Sequence, residues 1–307
     1  MIGVTEALAI IDRETRPAGQ ERIALEEAAG RILASPLASD VDWPPFDTSA
    51  MDGYAVLVRD AAGKGASAAE RPGVVGAGDP PPAGLTPGET VRIMTGAPLP
   101  PGTEAVVPVE QVERRGGRVV FSAAAQAGAH LRRRGESVAA GAPLLQPGMS
   151  LTPGRIALAA LAGADPIAVY RRPRIAIAAT GKELVDASQI PGPGQLRDSN
   201  GPMLAALCRA RGLAPRLLPR VPDDAGHLAR LFEDASSGQL DVLITSGGVS
   251  AGDFDLVPAE AVRQGFEMLF HGVAVRPGKP VAFARRGELL WFGLPGNPVS
   301  ASVCFHL

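Results

Sequence analysis

The sequence predicts a multidomain chain of α/β plus β type, and three observations carry that prediction. After Arg174, strands that are nearly all apolar (RIAIAAT, DVLITSGG) alternate with helical segments (GPMLAALCRARG, DDAGHLARLFEDAS). That alternation is the pattern of a largely parallel sheet covered by helices on both faces. From about 42 to 142 the chain instead shows short β-rich runs, such as ETVRIM and AVVPVE, between Gly and Pro clusters. Finally, 307 residues with 46% hydrophobic content exceed one typical domain and suffice for several cores.

Residues 3 to 40 give two helical patterns, the first with Val4, Leu8 and Ile11 on one face and the second LEEAAGRILAS, ending in Ser-Pro. The opening MIGVTEALAIIDRETR is interrupted by Glu6 and followed by Asp12, Arg13 and Glu14. It is too short to span a bilayer and reads as an amphipathic helix, not a signal peptide. Within the β region, AAGKGASAAERPG at 61 to 73 reads as a mobile loop, and RRGG between VEQVE and RVVF as a hairpin turn. LTPGRIALAALAGA at 151 to 164 is again helical, with Pro153 near its first turn. The β segment therefore reads as an insertion, giving a helical domain of 1–41 plus 143–171, a β domain of 42–142 and an α/β domain of 172–307. The last domain carries a hairpin, VAFARRGELLWFG, and then LPGNPVSASVCFHL, a helix that stops after about two turns with apolar residues uncovered. That pattern implies a natural continuation or a fragment.

Charge is nearly balanced, at −2 with a pI near 6.1, so no basic face for nucleic acid is expected, and no membrane association. Cys208 and Cys304 stand in apolar helical contexts without CxxC spacing, as buried free thiols of a reducing, cytoplasmic compartment do. His130, His227, His271 and His306 are scattered, which argues against a zinc site of the usual His/Cys type.

Three strands of the α/β domain end in small-residue loops: TGKE with Thr180 and Gly181, SGGVS with Ser246, Gly247, Gly248 and Ser250, and LPGNP with Pro295, Gly296 and Asn297. Ligands of open α/β sheets sit at the carboxyl ends of strands. Each loop alone is equally a tight turn; three in one domain point to a phosphate pocket. Neither GxGxxG nor GxxxxGK[ST] occurs, so a dinucleotide fold and a Walker loop are unsupported. VRPGKP adds Arg276 and Lys279, two cations suited to an oxyanion, or simply a solvated turn. Among the acidic residues, Asp223 and Asp224 sit where a helix N-cap belongs, and Asp198 lies in QLRDSN. Glu183 and Asp255 need no capping role, and carboxylates beside phosphate suit a hard cation such as Mg²⁺. In the β domain, DTSAMDGYAV and RIMTGAPLPPGTEAVVPVE offer Asp52 and Thr95 as reactive groups, although composition alone reads both stretches as turns, and RRRGES as a solvated basic turn.

With these segments in order (DTSAMDGYAV, RIMTGAPLPPGTEAVVPVEQ, RRRGE, ATGKEL, GQLRDSN, TSGGVSAGDFD, VAVRPGKPVAF, FGLPGNPVSAS), the chain closely resembles the molybdopterin molybdenumtransferase family, bacterial MoeA and the equivalent domain of gephyrin. The resemblance implies an elongated helical domain split by an inserted β domain, then a three-layer, MogA-like molybdopterin-binding α/β domain. It also implies an enzyme of molybdenum cofactor biosynthesis, a transferase that takes adenylyl-molybdopterin and molybdate, inserts the metal and releases AMP in a Mg²⁺-dependent step. Carried over by position, Asp52, Thr95, Glu183, Asp223 and Asp255 match catalytic acidic and hydroxyl residues, Glu183 and Asp255 serving the metal, while Arg276 and Lys279 match basic ones. The family's β domain reaches the α/β pocket of the other subunit, so the resemblance implies a homodimer with a shared active site. A molybdopterin adenylyltransferase and molybdoenzyme apoproteins are the partners it suggests. Departures are Ser137 in place of the acid of the family's GED, Lys182 where Asp is frequent, Gly272 where Lys is frequent, and no counterpart of the C-terminal fourth β domain. Two rival readings are a molybdopterin adenylyltransferase, which residues 1–171 argue against, and a molybdopterin-binding scaffold without turnover, which Ser137 permits.

Overall fold

The computed structural model describes residues 1–249 and 256–307. The chain divides into two compact units, Arg22–Val169 and a second made of Met1–Glu21 with Tyr170–Leu307. Helix α1 (Val4–Glu14) opens the chain, and its apolar face belongs to the second unit. Ala7 is buried, and Val4, Ile10 and Ile11 pack against the cluster that holds Ile177, Phe270 and Phe283. The expectation had grouped residues 1–41 with 143–171; packing instead joins the first 21 residues to the α/β sheet.

In Arg22–Val169 the second expected helix does not form. A single 3₁₀ turn, Leu25–Glu27, is followed by Gly30 at φ +72°, and Ile32 and Leu33 then bridge to Ser150 and Val169 as extended chain. The helical spacing of LEEAAGRILAS was outweighed by these pairings, which bury Leu33 with Leu145, Leu151, Ala159 and Val169. The β region builds one mixed sheet from β1 (Gly53–Val56), β2 (Ser67–Val75), β3 (Glu89–Ile93), β4 (Ala105–Pro108), β5 (Val112–Arg115) and β6 (Arg118–Phe121), in the order β4-β1-β3-β2-β6-β5. Alternation along β1 sends Tyr54 and Val56 into one core and Ala55 into another. The β5–β6 hairpin turns at Gly116 and Gly117, both at positive φ, as RRGG predicts. The stretch read as a mobile loop is half strand: β2 starts at Ser67 and pairs with β3 and β6. Helix α2 (Pro153–Leu161) follows, with Pro at its first turn.

The second unit is a three-layer α/β structure. Its strands β7 (Ile175–Ala179), β8 (Arg216–Leu217), β9 (Val242–Ser246), β10 (Glu267–His271), β11 (Ala282–Arg286) and β12 (Leu289–Leu294) lie in the order β8-β7-β9-β12-β11-β10 among the described residues. The first four in that order are parallel, and β11 runs antiparallel to both β12 and β10, so the predicted hairpin β11–β12 is joined by a further strand, β10, at the edge. One face packs on α4 (Ala225–Ser237) and α5 (Val257–Arg263) through Leu228, Phe232, Ala261 and Trp291, after α3 (Asn200–Arg209) has crossed the other face. That other face packs on α1, α3 and α6 (Pro298–His306) through Leu204, Cys208, Phe283 and Cys304. Ala176 and Ala178 face the first layer, Ile175 and Ile177 the second, the two-residue period of a strand buried on both sides. Both cysteines are free and buried. No helix among the described residues is long and apolar enough to cross a membrane.

Candidate active site

The parallel register sets three strand ends level. Ala179 stands opposite Ser246, and Ser246 opposite Leu294, so the loops that leave β7, β9 and β12 emerge side by side. The glycines that follow β9 are required by this proximity. Gly247 has φ +107°, and a Cβ there would run into the Thr180 carbonyl oxygen; at Gly248 (φ +61°) it would lie 2.6 Å from a methyl of Val257. At Gly181 it would lie 2.7 Å from both Glu183 carboxylate oxygens. The loops enclose a cavity of about 520 Å³, within the size range of small-molecule sites.

Asn200, at the start of α3, locks two of the loops together. Its Nδ2 donates to Ser246 Oγ and to the Gly296 carbonyl, both at 2.7 Å, while Ser246 Oγ donates to the Pro295 carbonyl at 3.2 Å. Gly296 can only accept, so the nitrogen must face it, which leaves Asn200 Oδ1 buried without a partner among the described residues. Asn297 caps α6 by accepting from the Ser300 N–H. Ser199 and Asn200 at the start of α3, and Gly296 and Pro298 at the start of α6, all line the cavity, which thus receives two helix N-termini, where unpaired N–H groups favour an anion.

Against these donors stand three carboxylates, Glu183, Asp198 and Asp223, in the same wall. Asp198 accepts from the Gly201 N–H at 2.9 Å, and Asp223 from the Lys182 N–H at 3.2 Å. Among the described residues no hydrogen bond or ion pair engages the Glu183 carboxylate. Asp224, not Asp223, caps α4, accepting from the His227 N–H at 3.0 Å and pairing with His227 Nδ1 at 2.7 Å. The capping explanation is therefore used up by Asp224, and Asp223 is left to the cavity. Among the described residues no group of three or more His, Cys, Asp or Glu side chains could hold a metal by itself. One or two carboxylates completed by ligand oxygens remain the arrangement open to a hard cation.

Of the residues singled out from the sequence, Thr180, Gly181, Glu183, Asp223, Ser246, Gly247, Gly248, Pro295 and Gly296 line the cavity. Asn297 sits between two lining residues as a helix cap. Ser250 and Asp255 lie outside the described residues. Arg276 and Lys279 are exposed and do not line the cavity, although Pro280 of the same segment does. That segment is seated on α6: Cys304 Sγ donates to the Gly278 carbonyl at 3.2 Å, and a Cβ at Gly278 would lie 2.6 Å from that sulfur. Asn200 lines the cavity without having been marked in the sequence, and Asp198, noted there only as an acid of QLRDSN, lines it as well.

Asp52 and Thr95 belong to the unit Arg22–Val169 and meet each other there. Both the N–H and the hydroxyl of Thr95 donate to Asp52 Oδ1 at 2.7 Å. Those two donors, the N–H first, hold the Asp52 carboxyl below its usual range, so it is an ionised acceptor. RRRGES is not a bare solvated turn: Arg133 pairs with Asp47 and Arg134 with Asp42, each at 2.6 Å, and Ser137 donates its N–H to the Trp43 carbonyl.

Residues 2–163 match the family model described as the MoeA N-terminal region (domain I and II), and 176–307 match the probable molybdopterin binding domain. A protein of Synechococcus elongatus named molybdopterin molybdenumtransferase is 39% identical over 94% of this chain and 73% of its own length. One of Bacillus subtilis with the same name is 37% identical over the whole chain and 73% of its length. A crystal structure of the molybdopterin biosynthesis MoeA protein from Pyrococcus horikoshii aligns over all of this chain and 77% of its own, with a TM-score of 0.85 at 32% identity. These matches span nearly the whole chain, which belongs to the molybdopterin molybdenumtransferase family.

Proposed function

We propose that this chain is a transferase of molybdenum cofactor biosynthesis that inserts molybdate into adenylyl-molybdopterin, with Mg²⁺-dependent release of AMP. The observation that carries the reading is the cavity at the ends of β7, β9 and β12, where two helix N-termini face three carboxylates. Glycine loops and helix N-termini suit the phosphate oxygens of the adduct, and the cavity is large enough for part of it. Glu183 and Asp223, hard oxygen donors without a capping role, fit Mg²⁺, and Asp255 is the further candidate from the sequence. When bound, the ion neutralises charge that develops on the phosphate oxygens. The chain's own part is to hold the pyrophosphate against the N–H groups and to place the carboxyl groups of Glu183 and Asp223 beside it.

In this reading Asp52, already ionised and fixed by Thr95, completes the site from the β domain of a second subunit in a homodimer. Arg276 and Lys279, exposed at the rim segment, meet the oxyanion as it enters. The adduct comes from a molybdopterin adenylyltransferase, the product goes to molybdoenzyme apoproteins, and the two free thiols suit a cytoplasmic setting. Ser137, which supplies a hydroxyl where the family pattern has a carboxylate, favours the alternative of a scaffold that binds the adduct without turnover. The deciding experiment is AMP release from adenylyl-molybdopterin with and without molybdate and Mg²⁺. Release that needs both supports the insertase; tight binding without release supports the scaffold. Glu183→Gln should lower Mg²⁺-dependent release about ten-fold or more, roughly 1.4 kcal/mol of barrier, and unchanged release would sink the metal assignment.

A further inference from the structure

A second cavity, of about 300 Å³, opens on the other side of the segment that carries Asp223. It lies between the edge strand β8, the chain that follows it, and helix α4. Its floor is apolar: Leu218, Val221 and Leu240 pack there against the core cluster of Leu231 and Phe232. Its rim is basic, with Arg216, Arg220 and Arg230 joined by His227 and a single acid, Asp234. Arg220 is held by Asp186, with Nη1 at 2.6 Å from Oδ1 and Nη2 at 3.0 Å from Oδ2. His227 is held by Asp224. The guanidinium groups of Arg216 and Arg230 have neither an ion pair nor a hydrogen-bond partner among the described residues.

This charge pattern is the reverse of the first cavity, whose wall collects three carboxylates, in a chain that is slightly acidic as a whole. Asp186 and Asp224 compensate Arg220 and His227, whereas the guanidinium groups of Arg216 and Arg230 face the cavity without an acid paired to them among the described residues. Guanidinium groups bind phosphate oxygens through directed, forked hydrogen bonds, and an apolar floor next to them suits a flat organic body. The volume lies at the lower end of small-ligand pockets. We propose that the cavity between β8 and α4 is a separate binding site for a small organic phosphate, a nucleoside monophosphate in size and chemistry. The phosphate meets Arg216 and Arg230, and the ring lies on Leu218 and Val221.

The test is calorimetric titration of the full chain with GMP, guanosine and inorganic phosphate. GMP should bind one-to-one with a Kd in roughly the micromolar to sub-millimolar range, weakening as salt is raised. Guanosine and inorganic phosphate should each bind at least about ten-fold more weakly, because each keeps only half of the recognition. Arg216→Glu with Arg230→Glu, both exposed positions, should weaken GMP about ten-fold or more without lowering the melting temperature. As a control, Asn297→Asp keeps the α6 cap and adds a negative charge beside the first cavity; it should leave GMP affinity within about two-fold. Absence of saturable GMP binding, equal affinity for inorganic phosphate, no effect of the double variant, or a larger loss in Asn297→Asp would each overturn the proposal.

Discussion

The contact that most directly shapes the first cavity is the side chain of Asn200, and its replacement by Ala and by Asp separates two physical effects. Nδ2 makes two hydrogen bonds at 2.7 Å, each worth about 1 kcal/mol net, to Ser246 Oγ and the Gly296 carbonyl. Against that gain stands Oδ1, buried without a partner, at a cost of about 1–3 kcal/mol. Asn200→Ala loses both bonds, about 2 kcal/mol, and also removes the orphaned carbonyl, so its net cost is about 1 kcal/mol at most, less than the bond count suggests. Asn200→Asp keeps the acceptor, loses both donors, and sets a carboxylate oxygen against the Gly296 carbonyl in a site only 8% exposed. Its cost should reach about 3 kcal/mol or more. Urea unfolding followed by tryptophan emission measures this locally, because Trp291 in β12 is fully buried, whereas Trp43 is 47% exposed and contributes a red-shifted background. The expected order of stability is wild type, then Ala, then Asp. If the Asp variant equals or exceeds the Ala variant, the assignment of donor and acceptor at Asn200 is wrong.

At the opposite end of the same strands, Asp241 accepts from both terminal nitrogens of Arg171 at 2.7 Å and from the Arg174 N–H at 2.6 Å. Led by the Arg171 hydrogen bonds, these partners hold its carboxyl far below the ordinary 3.8. A depressed folded-state value contributes stability above the ordinary value and loses it as pH falls below, so Asp241→Asn should cost about 2–3 kcal/mol at pH 7. In urea melts the gap should narrow steadily below about pH 4; a gap independent of pH would refute the linkage. Gly247→Ala places a methyl against the Thr180 carbonyl at a positive φ and should cost about 3 kcal/mol or more, read in the same melts; a near-native midpoint would show that the loop can move aside. Burial pushes the Cys304 thiol up to about 11, leaving roughly one part in a thousand as thiolate at pH 8. Iodoacetamide should therefore label Cys304 only after unfolding, and rapid native labelling would contradict the packing of α6.

What the sequence made legible was whatever the chain encodes locally. The runs IAIAA, VLITS and LLWFGL are largely apolar and form central strands, and the glycines that follow VLITS are forced by the closeness of Thr180 and Val257, so loops and cavity could be read together. Features that depend on distant partners were not legible. LEEAAGRILAS has helical spacing, yet Leu33 finds more burial beside Val169 and Leu145 than a helix would give it. In the same way α1 has an ordinary amphipathic pattern, and nothing in it says that the face will close the α/β sheet. Strand β10 escaped because its burial pattern is mixed, as befits an edge.

The site divides along the same line. The glycines of TGKE and SGGVS announced themselves, because Gly181, Gly247 and Gly248 stand at positive φ, a backbone requirement that no neighbour can supply. Arg276 and Lys279 looked equally marked, but a cation's target is set by where its backbone is anchored. Here Gly278 against Cys304 seats the segment on α6 and turns Pro280, rather than either charge, into the cavity wall. Asn200 shows the converse. One polar residue at a helix start carries no special signal in sequence, since capping explains it, and only the meeting of Ser246 and Gly296 on its amide reveals what it holds together. The glycines of this cavity are therefore what its shape demands of the backbone, and Asn200 is what keeps that shape closed. A substitution at Asn200 should change how firmly the two loops stay together while leaving the course of each strand intact.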